Sequence, residues 1–240
     1  MAGIAVLDQT IENDYNINVT INSINLRQNQ AVSGGGVYVA GGNVTINSGT
    51  IENCSATDGG GIYISNGDIT MNGGTISNNQ ASGNGGGIYA SSDTQDLNVS
   101  ITSGSIIGNI ATGHGGGIGI NMGEGLSAVV TVGLETCKGE DETHSHPIIL
   151  DNTANEKGGG FCMHGDSLTM TMYCGSISAN IALNEPGSSN INQTGGLVTV
   201  YGGTVNGGIT IIGGKYIYVP GNIEKVGVSY NSNITGNIRD

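Results

Sequence analysis

The residues best suited to bind a metal ion lie together in one polar segment. Between about Gly133 and Pro147 the chain reads GLETCKGEDETHSHP, a His-x-His pair beside several carboxylates. Imidazole nitrogens suit transition metals, whereas carboxylate oxygens suit calcium. The candidate ligands are Asp141, Glu142, His144 and His146. The spacing matches no strong zinc signature, so a solvated loop is the favoured interpretation and a metal site is the alternative.

A second candidate site is a set of tyrosines that recur at one place in a repeated turn. Tyr38, Tyr63 and Tyr89 each follow a glycine triplet and one aliphatic residue. Exposed stacked rings can hold sugar rings, whereas the simpler interpretation is cross-strand stacking that stiffens a sheet. The next equivalent positions hold Gly119 and Cys162, so the aromatic series ends there. Structural stacking is therefore the favoured interpretation, and the tyrosines stay the best candidate for a binding face.

A third candidate is a series of hydroxyl residues at outward strand positions. Its members are Thr20, Thr45, Thr70, Ser100, Thr131, Thr169 and Thr199. A flat ladder of hydroxyls could order water and bind ice, and Thr45 and Thr70 would be central to it. Threonine also favours exposed strand positions for its own sake, and no second regular threonine series lies beside it. Ice binding is therefore an alternative function.

An internal repeat must position all three candidates. Glycine triplets begin at Gly34, Gly59, Gly85, Gly115 and Gly158, with spacings of 25, 26, 30 and 43 residues. A short strand follows each triplet, and a second strand and a third strand come after it. The first, second and third strands each alternate apolar and polar residues, which is typical of half-buried β-structure. Glycine is expected at these corners because it adopts positive φ and allows close backbone approach.

The third strand leads into a turn with fixed offsets. An asparagine comes three residues after an isoleucine or leucine near the end of the strand, such as Ile76 or Ile106, and an alanine comes five residues after it. The asparagines are Asn29, Asn79, Asn109, Asn152 and Asn180, and Cys54 takes the same place in one repeat. Stacked inward amides can hydrogen-bond from one repeat to the next. A free thiol in the same place packs as a small apolar side chain.

Three short strands per repeat predict an all-β fold, a right-handed parallel β-helix of the pectin-lyase-like type with about eight rungs. Rungs would stack about 4.8 Å apart and enclose one continuous core. The hand follows from the right-handed preference of parallel crossovers. We expect a single domain over residues 1–240 with an insertion at about 133–147. The opening MAGIAVLDQT lacks signal-peptide features, so the chain is expected to be a fragment of a larger protein.

Composition excludes several functions. The chain has 19 acidic and 6 basic residues and a net charge of −13, which argues against nucleic acid and anionic membrane surfaces. No stretch is long and apolar enough to insert into a membrane. The four cysteines do not predict a disulfide framework, and a bridge from Cys137 to Cys162 or Cys174 stays open. No cofactor is expected, and the protein should be a monomer or associate end to end through exposed rungs.

Catalysis is also not expected. Lyases on β-helices need a basic residue to remove a proton beside a carboxylate, and hydrolases need a pair of carboxylates several ångströms apart. The six Lys and Arg residues are scattered along the chain, and outward acids form no dense cluster. A polysaccharide-active lyase or glycoside hydrolase stays as an alternative, because a fold does not determine an activity.

The repeat resembles a known family. Its GGGI and Ile-x-x-Asn motifs, the latter from Ile76 to Asn79 and from Ile106 to Asn109, resemble the GGA[IL] and FxxN repeats of polymorphic outer-membrane proteins. The chain is also similar to adhesin-like β-helix proteins of gut bacteria and archaea. The resemblance covers roughly residues 20–210, with Ile in place of Phe and Gly in place of Ala.

The resemblance implies a secreted or surface-displayed rod that touches host cells or neighbouring cells. We therefore expect a non-catalytic, adhesin-like structural module on the cell surface. Its partners would be glycans or a protein surface.

Overall fold

The chain forms a parallel β-solenoid. A computed structural model describes residues 3–7, 17–138, 145–185, 190–206 and 208–218. All paired strands are parallel, and each strand pairs with the equivalent strand of the next turn. The predicted all-β solenoid is therefore confirmed.

The first sheet includes the five strands that follow the glycine triplets, together with the equivalent strands of three further turns. It contains eight strands: β1 (Ile4–Leu7), β4 (Val37–Ala40), β8 (Ile62–Ser65), β11 (Ile88–Ser92), β14 (Ile118–Met122), β18 (Phe161–His164), β22 (Ile191–Thr194) and β25 (Ile209–Ile212). Along β8, Ile62 and Ile64 are fully buried and Tyr63 between them is half-buried, as the alternating pattern predicts.

The second sheet is the largest and has 13 strands. The second strands of the turns are β2 (Asn18–Ile21), β5 (Asn43–Ile46), β9 (Ile69–Ser77), β12 (Leu97–Ile107), β15 (Ser127–Val132), β19 (Ser167–Met172), β23 (Leu197–Val200) and β26 (Lys215–Tyr218). The third strands are β3 (Ile24–Arg27), β6 (Gly49–Glu52), β16 (Ile148–Leu150), β20 (Ser176–Ser178) and β24 (Thr204–Asn206). In β9 and β12 the second and third strands are continuous, so these two turns carry one long strand where two were predicted.

The turn after the third strand contains a fourth short strand, which the sequence did not predict. Five two-residue strands form a third sheet: β7 (Ser55–Ala56), β10 (Gln80–Ala81), β13 (Ile110–Ala111), β17 (Thr153–Ala154) and β21 (Ile181–Ala182). Each ends on the alanine of the repeat, and four of these five alanines are buried. Strands this short carry no alternation, so the pattern could not reveal them.

The described chain makes about six complete turns, fewer than the eight rungs predicted. The complete turns begin with β4, β8, β11, β14, β18 and β22. Strands β1 to β3 precede them, and β25 and β26 follow them, as partial turns. The difference arises because the terminal rungs supply only some of their strands.

The glycine triplets fit the corners for the two predicted reasons. The first glycine of each triplet has positive φ, for example +64° at Gly85 and +69° at Gly115. The third glycine lies against the next turn, and a Cβ on Gly87 would be 2.7 Å from the carbonyl oxygen of Gly117. A larger residue would therefore force neighbouring turns apart and weaken the sheets on both sides.

A ladder of buried asparagines runs along the inside of the solenoid, as predicted. Asn79 Nδ2 donates to Asn109 Oδ1 at 2.9 Å, and the same bond links Asn109 to Asn152 and Asn152 to Asn180. Cys54 is buried in this series, and its backbone N–H donates to Asn79 Oδ1 at 2.9 Å. We call Asn79, Asn109, Asn152, Asn180 and Asn190 the asparagine ladder.

Asn190 is a member of the ladder that the repeat did not indicate. It lies directly before β22, where earlier turns have the third glycine, and its Oδ1 accepts from Asn180 Nδ2 at 2.8 Å. Its own Nδ2 donates to the carbonyl oxygen of Asn206 at 2.7 Å. An asparagine from another part of the turn therefore ends the ladder with its hydrogen bonds satisfied.

Candidate functional site

The three predicted tyrosines lie in one column on the outer face of the first sheet. Tyr38 pairs with Tyr63, and Tyr63 pairs with Tyr89, in the register of the sheet. The ring centroids are 5.4 Å apart for the first pair and 5.7 Å apart for the second, with interplanar angles of 21° and 38°. Such spacing is typical of stacked aromatic pairs. We call these three rings the tyrosine column.

A cavity opens where the tyrosine column ends. The next partners in register after Tyr89 are Gly119, Cys162 and Asn192, so small or buried side chains replace the rings on three successive strands. A Cβ built on Gly119 would lie 3.0 Å from Tyr89 Cδ2, which places the last ring directly beside the glycine. The space that a fourth ring would occupy is therefore part of a cavity of about 360 Å³.

Polar side chains form the two walls of this cavity. His114 and Lys157, each directly before a glycine triplet, stand on one side. Asn121, His164 and Thr194 stand on the other side, on the neighbouring outward positions of β14, β18 and β22. We call this cavity the Tyr89 groove. Tyr89 lies at its end, and Gly119, Cys162 and Asn192 form its floor. The five polar residues just named form its walls.

Contacts within the walls hold the side chains in place. Thr194 Oγ1 and His164 Nδ1 are 3.3 Å apart and share a hydrogen bond. Lys157 Nζ lies 3.4 Å from Glu185 Oε1, and both side chains are partly exposed, so this ion pair contributes little to stability. At the Tyr89 end, the backbone N–H of His114 donates to Asn84 Oδ1 at 3.0 Å.

Two side chains of the groove, Tyr89 and His114, favour their neutral forms. Burial, followed by the nearby Asp58 carboxylate, raises the pKa of Tyr89 to about 12. Burial, followed by the Lys157 ammonium, lowers the pKa of His114 below its usual value. At neutral pH the phenol is therefore protonated and the His114 imidazole is uncharged, so these two side chains offer uncharged hydrogen-bonding groups.

The floor of the groove holds a thiol and an amide. Burial raises the pKa of the Cys162 thiol to about 12, so the thiol is protonated and a poor nucleophile. Its Sγ lies 3.9 Å from Asn192 Oδ1, within contact distance for a weak S–H donor. Asn192 Nδ2 is buried and has no hydrogen-bond partner among the described residues.

The hydroxyl series forms a ladder on the second sheet, with one predicted member wrong. Thr20, Thr45, Thr70, Ser100 and Thr131 are successive partners in register, as predicted. The next partner is Thr171, because the predicted Thr169 pairs with Val129 instead. Both threonines face outward on β19 with two-residue spacing, so alternation alone could not distinguish them. Thr199 follows Thr171 and is buried.

A series of amides runs beside the ladder, and Thr102 continues this series by donating to Asn72 Oδ1 at 3.1 Å. Asn47 Nδ2 donates to Asn22 Oδ1 at 2.9 Å, and Asn72 Nδ2 donates to Asn47 Oδ1 at 2.9 Å. These amides satisfy one another along the outside of the solenoid. Thr45 and Thr70, the predicted binding residues of the ladder, are half-buried between these amides and the outward Asn43 and Asp68.

Only one of the four predicted metal ligands, His146, lies among the described residues. Asp141, Glu142 and His144 lie outside the described residues. His146 is exposed, and its ring lies beside Cys137 and Cys174, with the donor atoms of all three within 4.8 Å of one another. Cys137 belongs to a short 3₁₀ helix, Glu135–Lys138, and forms a disulfide with Cys174 across a Cα–Cα distance of 5.9 Å.

Sequence reasoning missed two residues near this insertion. Tyr173 and Tyr201 stack with ring centroids 5.4 Å apart and an interplanar angle of 10°. Both tyrosines directly follow residues that pair in register, Met172 and Val200, and this common offset was the available signal. With Cys137, His146 and Cys174 they line a second cavity of about 560 Å³.

Comparison with known proteins gives one match. Residues 73–91 match the Chlamydia polymorphic membrane protein repeat. They contain Ile76, Asn79, the triplet at Gly85 and Tyr89, and so include the motifs that carry the resemblance. No curated protein and no solved structure is significantly similar to the chain.

The match and the solenoid together fit a polymorphic outer-membrane protein or β-helix repeat family, so the resemblance is confirmed. They support a surface-associated β-helix protein of this type, with the cell-surface location supported at the level of the family. The described part of the chain contains no apolar helix of membrane-spanning length.

Proposed function

We propose that this surface-associated β-helix module is a non-catalytic, secreted or cell-surface adhesin that binds carbohydrate on host or neighbouring cells at the Tyr89 groove. One observation carries the proposal. Glycine stands at position 119, where a fourth ring of the tyrosine column would be, so the last ring borders an open cavity. Stacking in the column thus holds one side of the Tyr89 ring in place, and the other side is open to a ligand in the cavity.

The composition of the groove suits a sugar ring. Sugars present an apolar face and a rim of hydroxyls, so they need an aromatic surface beside hydrogen-bonding groups. Tyr89 supplies the aromatic surface, while Asn121, His164 and Thr194 supply donors and acceptors on one wall. The volume of about 360 Å³ falls within the usual range for small ligand sites, roughly 300–1,000 Å³.

Two features of the groove support binding without catalysis. No carboxylate is among the described residues that line it, and glycoside hydrolysis commonly uses two. Its thiol, Cys162, is protonated at neutral pH because burial raises its pKa to about 12. The groove therefore offers contacts for a ligand but no activated nucleophile.

A glycan array on the purified chain, run with calcium and with chelator, tests the proposal. Tyr89→Ala should weaken binding to any positive glycan by about ten-fold or more, a loss of ~1.4 kcal/mol or more. Tyr38→Ala is the matched control, because it removes an equivalent half-buried ring at the far end of the column. We expect it to change affinity by less than about two-fold.

Three results would contradict the proposal. A blank array would reject carbohydrate as the ligand. Equal losses in Tyr89→Ala and Tyr38→Ala would place binding on the column as a whole, away from the groove. Unchanged binding in Asn121→Trp, where a bulky wall residue obstructs the groove, would place the site elsewhere.

We also propose ice binding as a second candidate function, favoured by the continuous register of hydroxyls from Thr20 to Thr171. Ordered hydroxyls repeated at the strand spacing of about 4.8 Å could hold an ordered layer of water. The test is thermal hysteresis of the freezing point. Hysteresis that disappears in Thr45→Tyr and Thr70→Tyr would support ice binding, and its absence in the unmodified chain would reject it.

A further inference from the structure

The insertion and the end of β19 bring together three groups that bind transition metals. Cys137 comes from the 3₁₀ helix, His146 precedes β16, and Cys174 follows β19. Their two sulfur atoms and a ring nitrogen all lie within 4.8 Å of one another. In a tetrahedral zinc site, ligand bonds of about 2.0–2.3 Å place donor atoms roughly 3.5–3.8 Å apart. The three donor atoms therefore lie within reach of one metal ion once the disulfide between the two sulfurs is reduced.

We infer that the dithiol form of this chain binds one zinc ion through Cys137 Sγ, Cys174 Sγ and His146, a site separate from the Tyr89 groove. Two thiolates and one imidazole are a ligand set typical of zinc. The donors come from two neighbouring turns of the solenoid, Cys174 shortly after β19, and Cys137 and His146 from the insertion between β15 and β16. The site therefore needs no rearrangement of the sheets.

The disulfide and the zinc site are alternative states of the same sulfurs. A dithiol reductant delivers two electrons and two protons to the Cys137–Cys174 bond and is itself oxidised to a disulfide. The two thiols then lose their protons to solvent as thiolates bind Zn²⁺. Either state ties the 3₁₀ helix to the end of β19, so the insertion stays attached to the solenoid in oxidising and in reducing surroundings.

The geometry leaves one coordination position for a further ligand. Zinc usually takes four ligands, and three are supplied by the described residues. All three line the cavity of about 560 Å³ that also contains the Tyr173–Tyr201 stack. A water molecule or a small anion would complete the tetrahedron from this cavity.

Metal titration of the full chain tests the inference. The chain is reduced with a trialkylphosphine, which is converted to its oxide with water supplying the oxygen and the two protons, and excess reductant is then removed. Anaerobic titration should show one tightly bound Zn²⁺ per reduced chain and none per oxidised chain. With Co²⁺, the reduced chain should develop a thiolate-to-cobalt charge-transfer band in the near ultraviolet.

Variants identify the ligands. Cys174→Ser should abolish the charge-transfer band, and His146→Ala should weaken metal binding by about ten-fold or more. Replacement of the two free cysteines, Cys54→Ala with Cys162→Ser, is the matched control and should leave one Zn²⁺ per chain. Binding that is lost in this control, or that survives in Cys174→Ser, would overturn the proposal.

A second measurement covers the case in which a variant fails to fold. In the unmodified reduced chain, Zn²⁺ should slow alkylation of Cys137 and Cys174, as mass spectrometry of the labelled peptides would show. Zinc should have no effect on labelling of Cys54 or Cys162. Equal labelling of Cys137 with and without zinc would contradict the site directly.

Discussion

The asparagine ladder and the tyrosine column overlap on two turns, but the ladder continues past the turn at which the column ends. The ladder proceeds from Asn79 to Asn190 without a gap, and each amide bonds to the next. The column stops at Tyr89, and Gly119 takes the next place. The difference teaches that a buried polar series is linked from turn to turn by its own hydrogen bonds, whereas an outer series is free to end and thereby create a site.

The reason lies in the hydrogen bonds of a single rung. Asn109 Nδ2 donates to Asn152 Oδ1 and to the carbonyl oxygen of Ile76, while its Oδ1 accepts from both nitrogens of Asn79. Every one of these groups is buried, so water cannot replace a missing partner. The ring of a tyrosine in the outer column needs no hydrogen-bond partner, because its contacts are apolar and one side meets solvent.

The largest effect is expected from a break in the ladder. Asn109→Leu keeps the approximate volume but leaves partners on both neighbouring turns unsatisfied, and each buried orphan costs about 1–3 kcal/mol. We expect the free energy of unfolding to fall by roughly 3–5 kcal/mol, measured by urea denaturation. Asn47→Leu is the control, because Asn47 belongs to an exposed amide ladder and should cost less than about 1 kcal/mol. Similar losses in the two variants would refute the argument from burial.

A smaller effect of opposite sign is expected where the ladder is incomplete. Cys54 holds the asparagine position, and its Sγ lies 3.4 Å from Glu52 O and 3.8 Å from Leu26 O, both weak contacts. An amide at this position could donate to Asn79 Oδ1 and to Leu26 O, as the ladder does elsewhere. Cys54→Asn should therefore raise the free energy of unfolding by about 1 kcal/mol.

The reverse substitution provides the check on this gain. Asn79→Cys should lower the free energy of unfolding, because Asn79 has buried partners on both sides. A thermal or urea melt of both variants would separate the two signs. A loss of stability in Cys54→Asn would mean that the turn around Cys54 is too narrow for an amide.

The sequence predicted the columns because the repeat made the register of the turns visible. Gly115, Asn109 and Tyr89 could each be placed by counting from an equivalent residue one turn away. Where the spacing between repeats changes, counting from an equivalent residue cannot place a side chain. The 43-residue spacing between the triplets at Gly115 and Gly158 hides the path of the insertion, so the meeting of Cys137, His146 and Cys174 was not predicted.

Register within a strand set a second limit. Thr169 and Thr171 both face outward, and only the pairing of β15 with β19 decides which one continues the ladder. The Tyr89 groove was missed for a different reason. The end of the column at Gly119 was visible in the sequence, but the walls come from residues before the glycine triplets and two positions along the strands, which only the folded turns bring together.

The smallest effect on stability, and the most direct test of the comparison, is expected from Gly119→Tyr. This change makes the outer column continuous for one more turn. Its Cβ would lie 3.0 Å from Tyr89 Cδ2 and 3.2 Å from Gly85 N, a tight fit that costs energy. Stacking on Tyr89 contributes roughly 0.5–1.5 kcal/mol and offsets that cost, so the free energy of unfolding should change by less than about 1 kcal/mol.

The same substitution fills the groove, so ligand binding should be lost while the fold persists. Urea denaturation and the glycan assay on one preparation would measure both effects. Preserved stability with lost binding would show that the missing ring is what makes the outer column a site. A fall of more than about 2 kcal/mol would mean instead that glycine at position 119 is required for packing, as it is in the triplets at the corners.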